Sequence, residues 1–237
     1  MAISPKLPDN ALQPFTATTD APERTKRTQR SVANLPHKWP DGVITVALDL
    51  RNAKSEALVV DAIREWAHHT PSLRFQIVEG RQGDIRISDD ERLEGNWSYI
   101  GTHAKQADKN QPTMHLDRTD DSTAFRSIVL HEFGHALGLM HEHQHPENTV
   151  DWNTPAVFHE YASESVPDDY IHEQYLDVFS GDGLQVTPYD QRSVMHYHVP
   201  AHVRNSGQTI PENTHLSQGD QEAVRRLYTP RLAEHSA

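Results

Sequence analysis

The chain has 237 residues, 35% of them apolar, with a mean hydropathy of -0.73. It is long enough to bury a real core, and no stretch approaches the roughly 18 consecutive apolar residues of a spanning helix, so insertion into a membrane is not expected. Twenty-two basic against 34 acidic residues give a net charge of -12, a surface that repels nucleic acid; the absence of cysteine excludes disulfides, thiolate metal sites and cysteine nucleophiles.

Residues 1 to about 36 read as poorly ordered. Prolines at 5, 8, 14, 22 and 36 break any periodicity, and Arg24, Lys26, Arg27 and Arg30 form a basic cluster. The segment is either a solvated tail or a short propeptide cut after Arg27 or Arg30. No apolar run follows Lys6, so no signal peptide is visible in it. Order is expected to begin near Trp39.

Ile44, Val46, Leu48 and Leu50 alternate and predict a strand over Val43 to Leu50. Val59, Ala62, Ile63, Trp66 and Ala67 recur at helical spacing and predict an amphipathic helix over Lys54 to His69. Leu73, Phe75 and Ile77 alternate, as do Ile85 and Ile87, and two short strands follow at Trp97 to Gly101 and Met114 to Leu116. A second helix is expected from about Thr123 to Leu137, capped by Asp121 or Ser122 and ended by Gly138. The segment from His141 to Arg192 is polar and irregular, with a helix around Thr154 to Glu164. The last helix has Ser217 and Asp220 as an S-x-x-D cap, Val224 and Leu227 facing inward, and Pro230 as its stop.

Histidine is the outlier: 17 in all, five of them between His131 and His145. That segment reads His131-Glu132-Phe133-Gly134-His135-Ala136-Leu137-Gly138-Leu139-Met140-His141. On a helix, His131 and His135 share one face and can hold one metal ion. Glu132 lies one step round and can reach a water at the metal without being a ligand. A turn at Gly138 can bring His141 back as a third ligand. Three histidines leave a position open, which is the pattern of catalytic rather than structural zinc. In a sequence so rich in histidine, the pattern H-E-x-x-H alone arises by chance in roughly one case in ten, and requiring Gly138 and His141 lowers that by about two to three orders of magnitude.

The motif H-E-x-x-H-x-x-G-x-x-H resembles that of the metzincin zinc peptidases. Ser193-Val194-Met195-His196-Tyr197 resembles their methionine turn. Glu142 after the third histidine, and the histidine and tyrosine of that turn, make the protein most similar to the astacin-like group. Trp39-Pro40-Asp41-Gly42, Asp84 to Ser88, Trp97 to Thr102, Pro188-Tyr189-Asp190 and Leu216 to Tyr228 extend the resemblance over about Leu35 to Leu232. Serralysin-like enzymes share the turn tyrosine but carry calcium repeats that this sequence lacks, and matrixin-like enzymes lack the tyrosine. The sequence departs from the astacin pattern in having no disulfides and no recognisable inhibitory propeptide motif, although Asp20 precedes the basic cluster.

The resemblance implies an α+β zincin fold: a twisted mixed five-stranded sheet, two helices above a cleft, and an irregular lower subdomain with a C-terminal helix. The catalytic domain would span 37–232, divided at 141/142, with a tail at 233–237. It implies a zinc endopeptidase acting on peptide or protein substrates, monomeric, and secreted by analogy. His131, His135 and His141 would hold one Zn²⁺ and Glu132 would be the general base. Tyr197 would serve the oxyanion, and Met195 and Gly138 would support the site. Glu142 would sit near a processed amino terminus. Trp97, Ser98 and Tyr99 would mark the sheet edge that takes an extended substrate. His143, His145, His196 and His198 are read as non-ligands. The competing readings are a catalytically silent metal- or peptide-binding module on the same fold, against which the presence of Glu132 speaks, and a histidine-rich metal buffer, which would bind well above one metal per molecule.

Overall fold

The computed structural model describes residues 30–162 and 166–229. The tail before residue 30, Pro230 and the tail at 233–237 therefore lie outside the described residues, as does the end of the helix expected to reach Glu164.

Order begins earlier than the proline spacing suggests. Strand β1, Arg30–Asn34, pairs antiparallel with β7, Leu184–Thr187. Val32 and Ala33 are buried, and that burial holds a segment too short and too close to Pro36 to read as a strand. Neither β1 nor β7 is expected from local pattern, because each is held by a partner distant in sequence.

The main sheet has five strands. They are β2 Gly42–Asp49, β3 Leu73–Val78, β4 Ile85–Ser88, β5 Trp97–Ser98 and β6 Met114–His115. Their order is β3-β2-β4-β6-β5. All neighbours are parallel except β5 and β6, which run antiparallel. The mixed five-stranded sheet is as expected, with β5 shorter than the run read to Gly101.

All four residues of β4 are buried, Arg86 included. The guanidinium of Arg86 is satisfied by carbonyls: Gln111 at 2.7 Å, Asp108 at 3.0 Å and Gly83 at 3.2 Å. It thereby ties the loop before β6 to the centre of the sheet.

Helix α1, Ala53–Ala67, starts where Asn52 accepts from Lys54 N at 2.8 Å. It buries Val59, Ala62, Ile63 and Trp66. Helix α2, Ser122–Ala136, is capped by Asp121, whose side chain accepts from Thr123 N and Ala124 N. Trp66 donates from its indole to Leu130 O at 3.1 Å, locking α1 to α2. Both helices share one core with the sheet and with α5, Gln218–Tyr228.

Two shorter helices, α3 Thr154–Ala162 and α4 Asp168–Ile171, lie in the polar segment after the histidines. A smaller core of Val157, Ile171, Val199, Val203 and Ile210 holds this part together. Among the described residues no helix is long and apolar enough to cross a membrane.

Candidate metal centre

Nine residues of α2 are buried, including Glu132 and His135, so the motif helix is surrounded by protein along much of its length. Its C-terminus needs partners for carbonyls that no further turn can satisfy. Gly138, at φ 96°, takes the left-handed conformation that an L side chain avoids. Leu139 N then donates to Gly134 O at 3.0 Å and Gly138 N to His135 O at 2.8 Å, which is a Schellman end. Two more carbonyls are met by aromatic side chains. The Trp39 indole donates to Ala136 O at 2.7 Å, and the Tyr228 hydroxyl to Leu137 O at 2.7 Å.

Past the turn, β1 braces the backbone. Asn34 N donates to Gly138 O at 2.9 Å and Met140 N to Val32 O at 3.0 Å. The next residue is His141. Glu142 N then donates to Met195 O at 2.9 Å, joining the third histidine to the methionine turn.

These supports bring the three predicted ligands together. One ring nitrogen from each of His131, His135 and His141 lies within 4.8 Å of the others. The Nε2 atoms of His135 and His141 are 3.0 Å apart. Zn–N bonds of about 2.0–2.1 Å place tetrahedral nitrogens roughly 3.3 Å apart, so the cluster has the size of a zinc site. His131 Nδ1 meets Val194 O and His135 Nδ1 meets Leu139 O, each at 2.8 Å. A carbonyl only accepts, so Nδ1 carries the proton in both rings and Nε2 keeps its lone pair.

Charge state agrees with this. Burial lowers His131, pushes His135 down to about 3 and lowers His141 well below the ordinary imidazole value. All three are neutral, which is the ligating form. The donor set fits one Zn²⁺.

Glu132 is 5% exposed, and burial pushes its carboxyl up to about 8. The Tyr197 ring is half-buried, 4.3 Å from the His141 ring centroid and 5.8 Å from that of His131. His143 also stacks on it, with centroids 4.4 Å apart and planes at 23°, and the His141 and His143 rings are themselves 5.2 Å apart. Met195 is buried beneath α2, against Gly134.

The other histidines are engaged elsewhere. His143 Nε2 meets Gln174 O, His145 Nε2 meets Thr187 O, and His196 bridges the Tyr189 hydroxyl and Tyr197 O. His198 is exposed. Among the described residues the only metal-sized cluster is the expected triad. Glu142 is buried and accepts from Asp190 N at 2.8 Å.

Trp97 and Ser98 are buried, and Trp97 stacks on His115. Tyr99 is half-buried. β5 is the last strand of the sheet.

Sequence reasoning misses the acceptors that set the histidine tautomers, Val194 O and Leu139 O. They are backbone atoms and carry no residue-type signal. It also misses Gly134 as a close-packing position, although glycine inside a helix is itself a cue.

Comparison with known proteins agrees with this geometry. A model of the astacin peptidase family matches residues 31–229. Zinc metalloproteinase nas-19 of Caenorhabditis elegans is 27% identical over 177 residues, covering 73% of this chain and 39% of that protein. Bone morphogenetic protein 1 of Xenopus laevis is 26% identical over 232 residues, covering 87% of this chain and 30% of that protein. The sequence thus spans less than half the length of these two relatives. The structure of myroilysin superposes with a TM-score of 0.78 at 30% identity, covering 85% of this chain and all of that one. A hatching enzyme of Oryzias latipes shares the fold, with a TM-score of 0.52 at 21% identity, covering 83% of this chain and 96% of that one.

Proposed function

This chain belongs to the astacin family of peptidases, and we propose that it is a zinc-dependent endopeptidase with Glu132 as its general base. The observation that carries the reading is the convergence of three neutral imidazoles, two of them on the helix that also carries a buried carboxyl. His131, His135 and His141 hold the ion. Zinc, when bound, acidifies water and polarises a carbonyl as a Lewis acid.

The protein's own groups do the rest. The Glu132 carboxylate accepts a proton from water as its oxygen bonds to the peptide carbon. Glu132 then returns that proton to the leaving amine nitrogen as the C–N bond breaks. Burial raises the proton affinity of the carboxyl, which suits the return of the proton to the amine, and the positive charge of a bound zinc would favour the ionised form that accepts it. The Tyr197 hydroxyl donates to the developing oxyanion, and the contacts of its ring with His143 and with the ligand His141 support that placement. Met195 forms an apolar floor, and Gly138 and Glu142 hold the segment carrying His141.

An extended peptide adds beside β5, the last strand of the sheet, at Trp97, Ser98 and Tyr99. Its main chain supplies the hydrogen bonds, and Tyr99, half-buried where Trp97 and Ser98 are buried, is the most exposed of the three.

The test is hydrolysis of a denatured protein by the zinc-loaded enzyme, before and after metal removal. Cutting that disappears with a chelator and returns with one equivalent of zinc is the expected result. Tight binding of one zinc with no cutting would mark a silent binding module instead.

A further inference from the structure

Helix α5 opens with a capping box. Ser217 Oγ accepts from Asp220 N at 3.0 Å, and Asp220 Oδ2 accepts from Ser217 N at 2.8 Å. Such a box needs only one carboxylate oxygen. Asp220 is 1% exposed and uses both. Oδ2 also accepts from Val194 N at 2.9 Å, and Oδ1 accepts from Ser193 Oγ at 2.6 Å. Ser193 Oγ in turn accepts from Met195 N at 3.0 Å. One side chain thus holds three consecutive residues of the methionine turn.

The carbonyl of the middle residue, Val194, is the acceptor for His131 Nδ1 at 2.8 Å. The path from the last helix to the metal site is short: Asp220 fixes Val194, and Val194 fixes the ring of His131. We propose that Asp220 is a positioning residue for the metal centre, setting the orientation and tautomer of His131 through the Ser193–Met195 turn. This rests on the reading of His131 as a zinc ligand.

The residue type fits the double duty. Capping boxes commonly use the longer glutamate or glutamine at this position. Aspartate keeps the carboxylate close to its own helix, where it reaches the turn on its other side. A group that served only the helix would not need to be sealed from water between two elements.

The test compares three variants by zinc dissociation constant, measured by competition with a chelating dye. A second readout is the ¹⁵N imidazole shifts of His131 in the metal-free protein. Asp220→Ala should weaken zinc binding by about tenfold or more, the range expected when outer supports of a ligand are removed, and should mix the two His131 tautomers. Ser217→Ala removes the cap but leaves the turn contacts, and should keep the wild-type zinc affinity and tautomer. Asp220→Asn can still accept from Val194 N and donate to Ser193 Oγ, and should rescue both readouts.

Wild-type affinity in Asp220→Ala would overturn the proposal, as would an equal loss in Ser217→Ala, which would reduce Asp220 to a helix cap. Should Asp220→Ala not fold, Ser193→Ala removes the bonds to Asp220 Oδ1 and Met195 N but leaves the capping box of α5 in place. Weaker zinc binding there supports the proposal, and an unchanged constant overturns it. A wild-type protein that bound no zinc would instead overturn the reading of the triad itself.

Discussion

Gly134 and Met195 fit together: the methionine sulfur occupies the place where a Cβ on residue 134 would stand, and the Trp66 ring closes the same space at 3.3 Å. Glycine inside a helix costs about 1 kcal/mol relative to alanine, and here it lets the methionine turn approach the helix that carries two ligands. Gly134→Ala should therefore destabilise the protein, by about 1–3 kcal/mol as overpacked cores do, although alanine is the better helix former. Urea unfolding of the metal-free protein measures this. A stabilised variant would show that the contact can relax freely.

Tyr197 lies against the rings of His141 and His143. Tyr197→Phe keeps the ring and removes only the hydroxyl. The expected result is a fall in kcat of about a hundredfold, as for removal of one oxyanion donor, with KM and zinc affinity little changed. Steady-state kinetics on a peptide substrate measure the split. A change confined to KM would place the hydroxyl in substrate binding instead.

Asp89 is buried, yet its carboxyl sits below the ordinary value. Burial alone would raise it; hydrogen bonds from Arg118 and from Arg51 N outweigh that. A carboxylate with a lowered folded pKa contributes stability that is complete above its unfolded value, about 3.9, and is lost as pH falls through the folded one. The wild type should therefore lose stability on acidification below about pH 4, and Asp89→Asn should flatten that limb. Arg118→Ala should lower stability at neutral pH, because it leaves the buried Asp89 carboxylate without its charged donor. Denaturation series at pH 3 to 7 decide this, and equal acid limbs in wild type and Asp89→Asn would refute it.

Tyr228 serves the far end of the motif helix. Its hydroxyl donates to Leu137 O and accepts from Trp39 N at 3.3 Å. Tyr228→Phe leaves both groups without that partner in a buried place and should cost about 1–3 kcal/mol. Thermal unfolding reads it, and an unchanged midpoint would mean that the two groups find other partners.

Much of this is legible in the sequence. Apolar periodicity places α1 and α2, and the S-x-x-D cap places the start of α5, because each signal lies within its own element. The spacing of His131, His135, Gly138 and His141 yields the triad, since one helix and one glycine turn suffice to gather it. What local pattern does not carry depends on distant partners. β1 is a strand because β7 and the segment after Gly138 pair with it. The histidine tautomers depend on two carbonyls, at Val194 and Leu139, that any residue could supply. Asp220 reads as a cap, and its second set of contacts exists only because the methionine turn folds back onto α5.

In the proposed mechanism Glu132 moves the proton while the histidines hold the ion. The most direct measurement is the zinc stoichiometry of Glu132→Gln alongside its rate on a denatured protein substrate. The expected result is one zinc per molecule, bound as in the wild type, and a rate lowered by about 10²–10⁴-fold, the contribution of a general base. A zinc-loaded Glu132→Gln that cuts at the wild-type rate would contradict it.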